Sequence, residues 1–325
     1  MDVIIHCGLN KTGTSALQNF WAGNEDKLKG CGIFYPQLGR EYDAHHGWAL
    51  DNIYSRFENF ETLAKQTLCD AEHYGSILLS SEAFQDAGRV DLIQQSFPDC
   101  NVSAVFYLRN YIDYFSSWWA EDVQSSNICA HFRTYAIMKQ RYLFPVLQRW
   151  VDCLGKDRLK ILYYSRNELF GRDIRIDFMK RVFDVDVDES WNMPDNLNNP
   201  SISGNLLFIK RLVDLFLVPE DFAALRDEFE ILSQIKSGFS GSVEVSPDAI
   251  ADISAQYSAD RDAIYREFGI YLPIERDENA CISSRNAKNL REDFVRIEQY
   301  ALQNGFVLSK YLENIKSAVC NDFQH

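Results

Sequence analysis

Between Val3 and Trp21 the chain reads VIIHCGLNKTGTSALQNFW. An apolar run, Val3-Ile4-Ile5, enters a loop holding Gly8, Lys11, Thr12, Gly13, Thr14 and Ser15. The loop gives way to a helix-like pattern with Ala16, Leu17 and Phe20 on one side. The same alternation recurs. Apolar runs at DVIIHC, GIFYP, SILLSS (76–81), NVSAVFYL (101–108) and RLKILYY (158–164) alternate with helical periodicity near 13–28, 47–73, 111–123, 134–154 and 173–183. Such a chain is expected to close as a parallel sheet, because each crossover between parallel strands lays a helix on one face.

The pattern changes near residue 190. WNMPDNLNNPSIS is turn-rich, and helical patterns follow over about 203–217, 220–235, 248–268 and 286–318 with no strand run among them. KSGFSGSVEVSP and IERDENACISSRN read as loops between those helices. The expectation is an α/β, P-loop-like three-layer fold over 1–190, a central parallel sheet flanked by helices. A helical C-terminal part over 191–325 is expected to pack on it and to shape the acceptor site. At 325 residues and 46% hydrophobic, the chain can bury one large core or two modest ones.

Composition narrows the function. No apolar stretch approaches the roughly 20 residues of a membrane span. Met1-Asp2 passes straight into a strand and leaves no room for a secretion signal, so a soluble, cytoplasmic protein is expected. The net charge of −14 disfavours nucleic acid, whose binding draws on many lysines and arginines. A small anion can still be held by a few local cations. The eight cysteines are scattered with no C-x-x-C pair, so zinc-site spacing is absent. Cys7 and Cys153 lie in apolar contexts, and the set is read as reduced core thiols, with one C-terminal disulfide left open.

A strand, a glycine-bearing loop and a helix N-terminus together make an anion site, because unpaired N–H groups and a partial positive charge converge there. The bland alternative is an ordinary βα turn with a solvated lysine. The loop reads G-x-x-x-x-G-T-S and so lacks the lysine of the nucleotide-triphosphatase pattern G-x-x-x-x-G-K-[ST]; Lys11 stands three residues earlier. A triphosphate site also wants an acidic strand end to help hold magnesium. Here the third strand ends LLSSE and the fourth YLRN, placing an arginine where that acid would stand. These residues suit a less charged group transferred without metal. A sulfuryl group on a 5′-phosphate fits, with Lys11 stabilising charge on the leaving oxygen.

In YLRNYIDYFSSWW, Arg109 ends the fourth strand and Ser117 follows eight residues on, about two turns into a helix. The pair makes a second phosphate site. Two anion sites at neighbouring strand ends can clamp a nucleotide phosphorylated at both ends.

At these residues the chain resembles the sulfotransferases that use 3′-phosphoadenosine 5′-phosphosulfate (PAPS). HCGLNKTGTSALQ is similar to their 5′-phosphosulfate loop, and YLRNYIDYFSSWW to their 3′-phosphate motif. The resemblance implies that Lys11, Thr12, Gly13, Thr14 and Ser15 bind the 5′ end and Arg109 and Ser117 the 3′ end, with PAPS as co-substrate and no metal. RYLFPVLQRWVDCLGKDRLKILYYSRNEL (141–169) resembles a run in carbohydrate sulfotransferases, with Ser165 in place of their usual glutamate. NNPSIS (198–203) resembles a segment of bacterial members. The likeness covers about residues 3–210. It implies a hydroxyl-bearing acceptor, a saccharide or small molecule, and the acidic composition favours a neutral one over a polyanion.

Transfer to a hydroxyl is helped by a general base. His45 and His46, in EYDAHHGWAL, and Glu82, after the third strand, are the candidates. Either histidine alternatively caps a helix, and Glu82 alternatively pairs with a cation. His6 is expected to be a core group. Tyr114, Phe115, Trp118 and Trp119 are expected to be mostly core, with one free to stack on adenine. Lys210 and Arg285 are expected to be solvated, the alternative being that they reach a phosphate from the helical part. A divergent P-loop kinase and a non-catalytic nucleotide-binding protein are the competing readings.

Overall fold

The structure, a computed structural model, describes residues 1–9, 11–54, 56–194, 202, 204–235, 245–274 and 289–321. Its elements begin with β1 (Asp2–His6), α1 (Thr14–Ala22), α2 (Glu25–Gly30), β2 (Ile33–Phe34), α3 (His46–Ile53), α4 (Phe57–Asp70) and β3 (Ser76–Ser80). There follow α5 (Val90–Ser96), β4 (Asn101–Leu108), α6 (Tyr111–Ser125), α7 (Phe132–Lys139), α8 (Phe144–Leu154), β5 (Leu159–Tyr163) and α9 (Ile174–Phe183). The remainder is α10 (Gly204–Val213), α11 (Phe222–Gln234), α12 (Pro247–Gln256), α13 (Ser258–Phe268), α14 (Leu290–Gln303) and α15 (Leu308–Asn321).

The five strands fall on the five apolar runs and pair wholly in parallel, in the order β2-β3-β1-β4-β5. The α/β fold with a helix-flanked parallel sheet is thus as expected. Helix segmentation differs. The stretch 13–28 breaks after Ala22, where Gly23 closes α1 by donating to Asn19 O at 2.9 Å. The stretch 134–154 breaks at Gln140, which adopts a left-handed φ of 45°. The stretches 47–73, 248–268 and 286–318 also divide in two, and α5 is an addition.

Packing groups the chain into two units. A sheet unit takes Met1–Asn110, Arg141–Asn196 and Tyr257–Pro273; a helical unit takes Tyr111–Gln140, Leu197–Gln256 and Ile274–His325. The grouping interleaves stretches from both sides of residue 190. Helix α13 belongs with the sheet because Asp260 caps α8. Its carboxylate accepts from the backbone N–H of Leu143 and Phe144 at 3.0 and 3.1 Å, at the positive end of that helix.

Within the sheet unit, strand residues alternate between two faces. Leu78, Val105 and Tyr107 pack with Leu17, Phe20 and Trp21 of α1 and with Phe178 and Met179 of α9. On the other face Phe106 meets Trp150 of α8 edge-on at 5.8 Å. Each such side chain contributes about 1.5–3 kcal/mol by leaving water. β1 and β3 end level, with His6 opposite Ser80, while β4 runs three residues past Val105, the other partner of His6, to Leu108.

The helical unit buries Trp119, Val123, Leu207, Val213, Phe229, Leu232, Ile253, Phe294, Ile297 and Leu312. It also buries an ion pair. Lys210, expected on the surface, is 1% exposed and meets Asp214 one turn on at 2.5 Å. α10 is covered on more than its apolar stripe, and the ammonium is accommodated by Asp214 and by Ser126 O at 3.2 Å. Burial pushes the Asp214 carboxyl up to about 6 despite Lys210, and pulls the Lys210 ammonium below its ordinary value.

The cysteines also depart from the expected core placement. Of those described, Cys7 is buried, Cys31 and Cys69 are exposed, and Cys100, Cys129 and Cys153 are intermediate, so most are not core thiols. Cys281 and the side chain of Cys320 lie outside the described residues. No helix among the described residues is long and apolar enough to cross a membrane.

Candidate functional site

Strand β1 is central, with β3 on one side and β4 on the other. The chain leaves β1 toward β2, and leaves β4 toward the opposite edge, β5. In open parallel sheets, ligands settle in the crevice opened by such diverging connections at the strands' carboxyl ends. The Lys11 loop follows one of these two strands, and Arg109 follows the other.

Cys7 extends the ladder by donating to Val105 O at 3.0 Å, and the chain then turns. Lys11 has φ 68° and Gly13 φ 80°, both left-handed. For a lysine this costs about 1–2 kcal/mol. The turn closes on one carbonyl: Leu9 O accepts from Thr12 N at 3.3 Å, Thr12 Oγ1 at 2.7 Å and Thr14 Oγ1 at 3.4 Å. Thr12 and Thr14 are therefore buried, with their hydroxyl protons directed into the loop and not outward. Gly8 is required here, since a Cβ would stand 2.4 Å from Thr14 Oγ1.

Helix α1 begins at once. Its first intrahelical bond is Leu17 N to Gly13 O at 3.2 Å, which leaves the N–H groups of Thr14, Ser15 and Ala16 with no acceptor inside the helix. Its first turn carries no acid, and Ser15 is exposed. These features fit a phosphate. Any anion held here would meet the backbone amides and the Ser15 hydroxyl more than the inward-turned threonines.

Arg109 comes directly to this loop. Its Nη1 donates to Lys11 O at 3.1 Å. A hydrogen bond from a charged donor contributes about 1.5–3 kcal/mol, enough to offset the left-handed conformation of Lys11. Tyr164 supports the arginine. It extends the β4–β5 pairing by donating to Leu108 O at 2.6 Å, and its ring centroid lies 5.6 Å from the guanidinium carbon. The same ring would lie 3.6 Å from a Cβ on Gly13. Tyr164 closes the fifth apolar run of the sequence and lies one residue past the observed β5, and that strand-end position is the signal it carries. Ser117 lies half-buried on α6, in the helical unit.

The three base candidates separate by geometry. His45 is fully buried, donates through Nε2 to Pro36 O at 2.8 Å, and accepts Ser80 N–H on Nδ1 at 3.0 Å. Burial pulls its pKa down to about 3. Both ring nitrogens are committed, so it has no lone pair to offer a substrate proton. His46 opens α3, half-buried, with Nδ1 2.7 Å from Ser81 Oγ. Ser81 Oγ also accepts Ala83 N–H at 3.1 Å and so caps the 3₁₀ turn Glu82–Asp86. Glu82, half-buried, accepts from Gln18 Nε2 at 3.4 Å.

Gln18 sits one turn beyond Thr14 on α1 and also donates to Ser80 Oγ at 3.2 Å, which in turn bonds His6 Nδ1 at 2.8 Å. A buried polar chain thus runs from β1 through β3 to Glu82. Gln18, Ser80 and Ser81 went unnoticed in the sequence, where neutral polar residues carry no motif. His6 is a core group as expected, fully buried and edge-on to Trp21 at 5.4 Å and Phe178 at 5.3 Å. Burial pulls its pKa down to about 3.

Among the aromatic candidates on α6, Trp119 is core and donates to Ala130 O at 2.9 Å, while Trp118 is partly exposed with Lys139 Nζ 3.8 Å from its ring centroid. Arg285 lies outside the described residues, as does NNPSIS apart from Ile202.

No family model matches this chain, and no curated protein sequence does. Among solved structures, it is similar to the crystal structure of a sulfotransferase from Alicyclobacillus acidocaldarius. The identity is 13%, the match covers 84% of this chain and 97% of that one, and the TM-score is 0.45.

Proposed function

We propose that this chain is a sulfotransferase that moves a sulfuryl group from PAPS to a hydroxyl of an acceptor, with a saccharide as the acceptor class. The α1 N-terminus, Gly13 and Ser15 take the 5′ end, and Thr12 and Thr14 hold the loop that presents them. Lys11 stabilises the charge that develops on the departing nucleotide oxygen. Arg109, together with Ser117 as the sequence resemblance implies, takes the 3′-phosphate. His46 accepts the hydroxyl proton through Nε2, its Nδ1 being occupied by Ser81. Glu82, held by Gln18, is the second candidate for that proton. Bound PAPS supplies the electrophilic sulfuryl group; the residues named here bind, orient and move a proton.

The observation that carries this reading is the contact between the two anion-binding segments, Arg109 Nη1 on Lys11 O at 3.1 Å. Calorimetric titration tests it. Adenosine 3′,5′-bisphosphate should bind at least tenfold more tightly than magnesium–ATP, and PAPS should support transfer to a panel of neutral saccharides. Preference for magnesium–ATP would make the protein a kinase. Bisphosphate binding without turnover on a broad panel would make it a non-catalytic binder.

A further inference from the structure

Arg109 stands where a phosphate ligand would be expected, yet it is already engaged with the loop of the other end. A guanidinium has five N–H donors in a rigid fork, and Arg109 gives one of them to Lys11 O. The carbonyl it holds belongs to a residue with left-handed φ, the conformation in the loop that most needs support. Tyr164 completes the arrangement, with one ring against both the guanidinium and Gly13. Arg109, Lys11, Gly13 and Tyr164 all belong to the sheet unit.

We propose that Arg109 is a positioning residue for the 5′-end loop as well as a phosphate ligand, bracing Lys11 through its carbonyl while Tyr164 holds the guanidinium in place. This rests on the sulfotransferase reading for the identity of the nucleotide, though not for the brace itself. The brace predicts an effect on ligands that lack a 3′-phosphate, where an arginine serving only that phosphate would have none.

The experiment uses the full chain and two probes, adenosine 5′-monophosphate and adenosine 3′,5′-bisphosphate, with amide hydrogen exchange of the peptide covering residues 8–16 in nucleotide-free protein. In Arg109→Ala the loop amides should exchange faster, and affinity for the monophosphate should fall about five- to tenfold, alongside a larger loss for the bisphosphate. Tyr164→Ala should produce the same changes at smaller amplitude, and Tyr164→Phe, which keeps the ring, should restore wild-type exchange and affinity. If Arg109→Ala weakens only the bisphosphate and leaves loop exchange unchanged, the brace is refuted and the sulfotransferase reading stands. If the wild type binds neither nucleotide but loop exchange still rises in Arg109→Ala, the brace stands and the sulfotransferase reading falls.

Discussion

Lys11 and Lys210 carry the same charge in opposite settings, and the contrast characterises the two units. Lys11 lies on a half-exposed turn at the sheet's carboxyl edge, held through its backbone by Arg109. Lys210 is sealed inside the helical unit with Asp214. One lysine is held through its main chain on the loop of the candidate site; the other has its side chain consumed by the fold. Buried histidines make the same point differently. The sheet unit keeps His6 and His45 neutral by burial, while the helical unit buries an ionised pair.

The largest expected effect is on the helical side. Lys210→Ala leaves Asp214 uncompensated and should cost about 3–5 kcal/mol in urea denaturation. Lys210→Met with Asp214→Leu should recover most of that loss; if the double variant is no more stable than the single, the pair matters for some other reason. Lys11→Ala should do the reverse. Transfer should fall by about 10²–10³-fold, the range for loss of one group that stabilises developing charge, while the urea midpoint stays put. A matching loss of stability would erase the distinction between the two lysines.

Acid sharpens the comparison further, because the units titrate in opposite senses. His6 and His45 have folded pKa values of about 3, below the ordinary 6.5, so the unfolded chain binds protons first. Their contribution is whole above pH 6.5 and is lost as pH falls toward 3, at up to about 1.4 kcal/mol per pH unit for each. Asp214 is raised to about 6, so its contribution is present at low pH and lost as pH rises from about 4 through 6. Urea midpoints between pH 5 and 7 should depend less on pH in His45→Gln and more steeply in Asp214→Asn. Identical slopes in both variants and the wild type would contradict these protonation states. The smallest effect concerns Gln18. Gln18→Ala frees Glu82 and should lower transfer a few-fold without changing bisphosphate affinity; equal losses in both would point to disturbance of the α1 loop instead.

The strands were legible because each is a short apolar run, and the three central ones, β3, β1 and β4, are largely buried on both faces, a pattern that leaves few alternatives. The placement of the Lys11 loop after β1 and of Arg109 after β4 was legible because glycine spacing and a strand-ending cation mark those turns. Helix breaks were not, since 47–73 and 286–318 are periodic across their interruptions. Nor was the fate of Lys210, because a lysine's burial depends on which distant element covers it. His45 and His46 are neighbours in the same dipeptide, and only their partners, Pro36 and Ser80 for one and Ser81 for the other, tell them apart. Gln18 could be found only once β3 had been placed beside α1.

The central position of β1 has a consequence for biosynthesis. Residues 2–6 pair with residues 76–80 and 101–105, so the sheet's middle strand is made long before either partner exists. At roughly 5–20 residues per second, Val3, Ile4 and Ile5 spend on the order of 5–20 s unpaired on the ribosome. Long-range parallel pairing of this kind closes slowly. Nascent chains should therefore depend on holdase chaperones most heavily until β4 emerges.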